Sequence, residues 1–509
     1  MTTISSLNTA KTLELASLTN AANVNEEAKA VSLQAALLAS QSSIVTIPSA
    51  AGAINLQVYN ADGTLAIAAP SATATWATDS TDAVTLRMKS DYTASTFGGQ
   101  FSDLGSVLLD RFKSTGSDFT QSVTTGTGLS GPSAKVDLTV KTASGITVDI
   151  ELDSTANGLS VSIKSNGNLS DKERDALSQL AGGFQQAIDG LSGQPPQLNL
   201  SGLTGFDTSV LSSVNFTYNI TGDDDKNISA SYSQDSASRS LSVTDSSGTV
   251  NVKVDTSNPA LWGTSQQRAE SVASLLKQFD AANERGHGNK DLMSMFEDGF
   301  SEMNGVYGTP TPQSLPGAEN TTWMQQSDQA MLTGLGDYSA SITDAKIKPN
   351  PLRQDEADTF DYSVSQDTQL DGTALNGTIT QHQHSQLDAS YHEALDGSGP
   401  PKLTTDLSTQ GYDYIRINDT ADSTVKIVTA KGVLVAATLN QSSDQRTRDM
   451  KYERGQLVSD VTTPVEKSSS QDLLALLQPL ISNNDAKHDT TDWQQELAQI
   501  HGMIQLKAY

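Results

Sequence analysis

The chain has 509 residues, ample for roughly three domains, with 36% hydrophobic and 5% aromatic residues, a composition that predicts thin, sheet-dominated cores. Its 32 Lys and Arg stand against 59 Asp and Glu, and the resulting formal charge of −27 repels nucleic-acid phosphate and anionic lipid, so no nucleic-acid partner is expected. With no cysteine, disulfides, thiolate nucleophiles, iron–sulfur clusters and Cys-ligated zinc are excluded together, and no cofactor is expected.

Residues Met1 to Ala10 have neither a basic nor an apolar segment of the kind a cleaved secretory signal needs. This Ser/Thr/Asn/Ala-rich leader runs into a helix-like stretch from Glu26 to Gln41 and is similar in composition to the uncleaved leaders of bacterial flagellar and type III export substrates. The expectation is an extracellular or cell-surface protein exported by a signal-peptide-independent route, with a cytoplasmic location as the alternative. The longest nearly apolar run, Leu473 to Ile481, is far short of the roughly 20 residues of a spanning helix, so no membrane insertion is expected.

Beyond the leader, Ile54–Tyr59, Leu65–Ala68 and Val84–Met88 are predicted as short strands before a helix carrying Leu104, Val107, Leu108 and Phe112. From Ala134 the chain alternates apolar and polar residues in three runs, through Val140, Leu152 and Ile163, which describes an antiparallel meander with one buried face. A helix follows, opened by a Ser170/Glu173 capping box and striped by Leu177, Leu180, Phe184, Ala187, Ile188 and Leu191. The pattern returns 95 positions later: strands through Phe216, Ile228, Leu241 and Val252 lead to a helix from Thr264 carrying Val272, Leu275, Phe279 and Ala282. A further helix carries Leu292, Phe296 and Phe300, and Tyr307–Gly317, with its prolines, marks the principal linker. Then come predicted strands at 360–364, 375–381, 387–391, 412–417, 425–428 and 433–439, and two closing helices, Ser470–Ile481 and one around Trp493–Ile504.

The fold class read from this pattern is α+β: repeated modules of antiparallel β-meander, each followed by an amphipathic helix, behind an N-terminal helical leader. The proposed divisions are 1–41 (leader), 42–116, 117–200, 201–306, 307–356 (linker) and 357–509.

Chemical motifs are few. Gly126, Gly128 and Gly131 spell the glycine fingerprint of dinucleotide-binding folds, but Pro132 and an alternating run follow where a helix is required, so they read as a hairpin loop. Asp223, Asp224 and Asp225 read as a solvated hairpin tip, lacking the order of a calcium loop. Among the six histidines, His382 and His384 share a strand face with His392. Pairing 375–381 with 387–391 sets His382 opposite Asp388 and puts His392 about 13 Å along the strand, too far to share an ion. The candidate metal ligands are therefore His382, His384 and Asp388, beside the reading of a polar outer hairpin face. No residues converge as acid, base and nucleophile, so the leading functional expectation is a non-enzymatic structural or binding module for an unknown protein or surface partner. A carrier of an apolar ligand between sheet and helix is the alternative, and an enzyme ranks last.

Overall fold

The structure, a computed structural model, describes residues 74–125, 133–221, 227–305, 326–373, 375–477 and 498–508. They lie in one compact unit, 72–509. The leader, the early strands at 54–68, the Tyr307–Gly317 linker, the Gly126–Gly131 motif and Asp223–Asp225 lie outside the described residues.

The fold is a mostly antiparallel sheet with helices. In chain order its strands are β1 (Ala74–Trp76), β2 (Phe119–Thr125), β3 (Ser133–Thr142), β4 (Thr147–Thr155), β5 (Gly158–Ser165), β6 (Leu211–Thr221), β7 (Ile228–Gln234), β8 (Ser238–Asp245), β9 (Gly248–Asp255), β10 (Tyr338–Asp344), β11 (Thr359–Gly372), β12 (Asn376–Ala394), β13 (Tyr412–Ala430), β14 (Val433–Glu453) and β15 (Gln456–Asp472). All belong to one 15-stranded sheet in the order β1-β2-β5-β4-β3-β6 and then sequentially to β15. The alternation read from the sequence is realised in β3, where Ala134, Val136, Leu138 and Val140 point inward, and again in β9.

Helices α1 (Ala83–Asp91), α2 (Leu104–Thr115), α3 (Asp171–Gln179), α4 (Ala181–Leu191), α5 (Ser265–Gly286) and α6 (Lys290–Gly305) contribute their buried residues to the same hydrophobic core as the inward strand residues. The capping box expected at Ser170 and Glu173 is present and opens α3, and a second, Thr264 with Gln267, opens α5. Aromatic rings fill the space between layers: Phe184 of α4 meets Phe216 of β6 edge-on at 6.1 Å, and Phe279 of α5 meets Phe296, Phe300 and Tyr362 at 4.8, 5.2 and 5.7 Å.

Several expectations are corrected. Val84–Met88 is helical, because the Asp82 carboxylate accepts from the Val84 and Thr85 N–H groups and so caps α1. Tyr338–Asp344, inside the segment read as linker, is β10, paired between β9 and β11. The strands expected at 375–381 and 387–391 are one continuous β12, as are 412–417 and 425–428 in β13. Phe184 and Phe279, on the helices of the two units read as repeats, belong to one hydrophobic core.

Candidate functional site

Alternation along each strand sends every second side chain away from the helices, and on the central strands that outward set is almost entirely hydroxyl and amide. Strand register aligns it into rows: Thr217, Ser231, Ser242, Asn251, Ser341 and Ser363 are successive cross-strand partners from β6 to β11. Within the rows, neighbouring strands are tied by side-chain hydrogen bonds, Ser229 to Asn219 at 2.7 Å, Ser233 with Ser240 at 2.6 Å and Ser242 to Asn251 at 2.8 Å. Over β7 to β11 the face forms a shallow open hollow of about 460 Å³, in which Lys253 is the one charged lining residue.

One such row, Ser339, Ser365, His384 and Asp422, leads to the histidine pair. His382 Nε2 and His384 Nδ1 both lie against the same Asp422 oxygen, at 3.1 and 2.8 Å, and His382 Nδ1 lies 3.5 Å from Asp367. Asp388 does not join them. It sits farther along β12, about 20 Å from His382 and about 13 Å from His384, where it accepts from Gln386 and Asn418. The register expected for it is replaced: His382 pairs with Asp367 and Thr424, because the chain runs straight through 382–386 instead of turning. Among the described residues no group of three or more His, Asp and Glu could hold a metal ion. The glycine motif's flanks are also instructive: β2 and β3 are separated in the sheet by β5 and β4, so the connection between them is not a hairpin, and a strand follows it.

His392 shares the outward face of β12 with His382 and His384 but lies about 33 Å from His382 along one strand. There the open face is covered. The segment 345–358 folds over it, closed on itself by paired backbone hydrogen bonds between Ile347 and Asp358 at 3.1 and 2.8 Å. His392 is 1% exposed and packs against the Tyr412 and Tyr414 rings at 5.0 and 4.7 Å. Its Nδ1 is 2.6 Å from Asp358 Oδ1 and its Nε2 is 3.3 Å from Glu356 Oε2. Burial pulls the imidazole pKa down, but hydrogen bonds to Asp358 and Glu356 outweigh it and leave it raised. For Glu356 burial pushes upward, and the bonds from His392 and Tyr412 outweigh that, leaving the carboxyl below its ordinary value. The Tyr412 hydroxyl donates to Glu356 at 2.7 Å, and Arg353 lies 4.3 Å over the Tyr452 ring.

Glu356, Asp358, Asp422 and Tyr412 were not singled out from the sequence. The parity of His392 in its strand was the one available signal; the covering segment had none. Comparison of the chain with protein-family models, curated proteins and solved structures finds no match in any of the three.

Proposed function

We propose that the protein is a non-enzymatic binding module, exported or surface-associated in a bacterium, that uses the open outer face of its sheet to dock a polar partner. The observation that carries this reading is the asymmetry of the two faces: one supplies the apolar core shared with the helices, while the other presents registered Ser, Thr and Asn rows across β6 to β11. The units 117–200 and 201–306 are read as two copies of a meander-and-helix module that together widen this face. The rings of Phe184, Phe279, Phe296 and Phe300 between the layers favour docking over carriage of an apolar ligand.

The test is cosedimentation of the purified protein with intact cells and cell envelopes, comparing wild type with the Ser231→Glu/Ser341→Glu variant. Retention of wild type with loss of the variant supports the reading; equal retention removes this face from the contact. Detection of the protein in culture medium with its N-terminus intact supports export, and confinement to the cytoplasm opposes it.

A further inference from the structure

The covered corner breaks the rule that the rest of the outer face follows. From β6 to β11 the outward side chains are polar and mostly small, yet on the same face at 412–414 and 450–452 they are Tyr412, Tyr414, Met450 and Tyr452, packed together and buried. The segment 345–358 lies over them, and Leu403 packs against the same group. Tyr414 donates to the Ala357 carbonyl at 3.0 Å, and Asn350 donates to Tyr412 Oη at 2.9 Å.

What fastens the segment is the arrangement around His392. A carboxylate only accepts, so each ring nitrogen facing one must donate, and only the imidazolium form has N–H on both nitrogens. With Asp358 at Nδ1 and Glu356 at Nε2, the closed position therefore calls for a charged ring. A neutral ring satisfies one carboxylate and turns a lone pair toward the other. The His392 backbone N–H also donates to Asp358 Oδ1, at 3.1 Å, whatever the state of the ring, so the bond that depends on the second ring proton is the one to Glu356; there Arg353 reaches only the other carboxylate oxygen, at 3.7 Å, while β13 and β14 offer the uncharged hydroxyls of Tyr412, Tyr414 and Tyr452.

We propose that 345–358 is a proton-latched cover: it stays closed while His392 carries both ring protons, and loss of one releases it and uncovers a strip of tyrosines on the otherwise hydroxyl-rich face. The raised pKa of His392 gives the direction. The latch holds below the ordinary imidazole value of 6.5 and is lost as pH rises through the folded-state value above it.

Hydrogen exchange of peptides spanning 347–358, corrected for intrinsic chemistry, tests this. In wild type, protection should fall about tenfold between about pH 6 and about pH 9, while β7 to β9 stay unchanged. Glu356→Gln supplies an amide donor that a neutral ring accepts, so its cover should stay protected at both values. His392→Gln should be weakly protected at both. Flat wild-type protection, or a Glu356→Gln variant that opens with rising pH as wild type does, overturns the proposal, and these two measurements decide it even where His392→Gln fails to fold.

Discussion

Glu173 and Glu297, both in the helix layer, are driven in opposite directions by what surrounds them. The Glu173 carboxylate accepts from the hydroxyls of Ser144 and Ser170 and from the Ser170 N–H, and these bonds hold its pKa at about 2, so its contribution is fully present above 4.5 and is lost as pH falls from there to about 2. It also ties the start of α3 to the turn between β3 and β4. At Glu297 of α6, burial first, then the nearby charge of Asp280 and a side-chain hydrogen bond shared with it, push the pKa up to about 7. The fold therefore keeps a proton there that the unfolded chain has released, and stability falls as pH rises from 4.5 to about 7. Glu297→Gln is expected to raise the melting temperature relative to wild type at pH 8 and to leave it nearly unchanged at pH 4.5, which thermal unfolding at the two values checks.

At the scale of elements, what the sequence made legible and what it hid have one cause. In β3, β4 and β9 every inward position is apolar, apart from Thr142 and Ser154 near strand ends, so period 2 is plain. In β12 and β13 the inward positions include Gln381, Gln383, Ser385 and Ser423, which interrupt the apolar alternation and make one strand look like two with a turn between. These buried polar groups are satisfied by backbone far away in sequence: Gln383 and Ser423 both donate to the Ile504 carbonyl at 2.9 Å, and Gln381 accepts from the Thr333 N–H at 2.9 Å. Only the tertiary structure brings those partners. The latch around His392 was hidden in the same way, since Glu356 and Asp358 sit in a segment without periodicity. Where apolar anchors dominate, the energetics are more direct. Phe279→Ala removes a fully buried ring with three aromatic neighbours and should cost about 3 to 5 kcal/mol. Exchange should rise first in β10 and β11, whose Tyr338 and Tyr362 belong to that ring cluster, and a uniform rise over the whole sheet would contradict this local account.

At the scale of the whole sheet, the two edges differ. β1 is a three-residue strand, whereas β15 offers 17 residues, nearly all exposed, including Leu457, Val458, Val461 and Val465. A long open edge is a template for pairing with another chain. Pro464 stands near its middle, opposite Arg446, and a proline fits a strand only with its nitrogen turned away from the ladder, so it deletes one outward donor. Pro464→Thr restores that donor and is expected to shift sedimentation velocity toward larger, concentration-dependent species; a variant that stays at the wild-type sedimentation coefficient would mean the edge is guarded by other means.

The breadth of the sheet also bears on what can lie against it. Adjacent strands ordinarily rotate by about 20 to 25° relative to one another, and over the 14 steps of a 15-stranded sheet this would accumulate to about 300°. The hydroxyl rows, which cross five of these steps from β6 to β11, would then turn through about 100 to 125°, with the normal to the face at β6 pointing far from the normal at β11. A rigid plane can meet such a surface over only a few strands at a time, whereas a pliant chain can follow its winding from one end to the other, and so pliancy in the partner would count for as much as its chemistry.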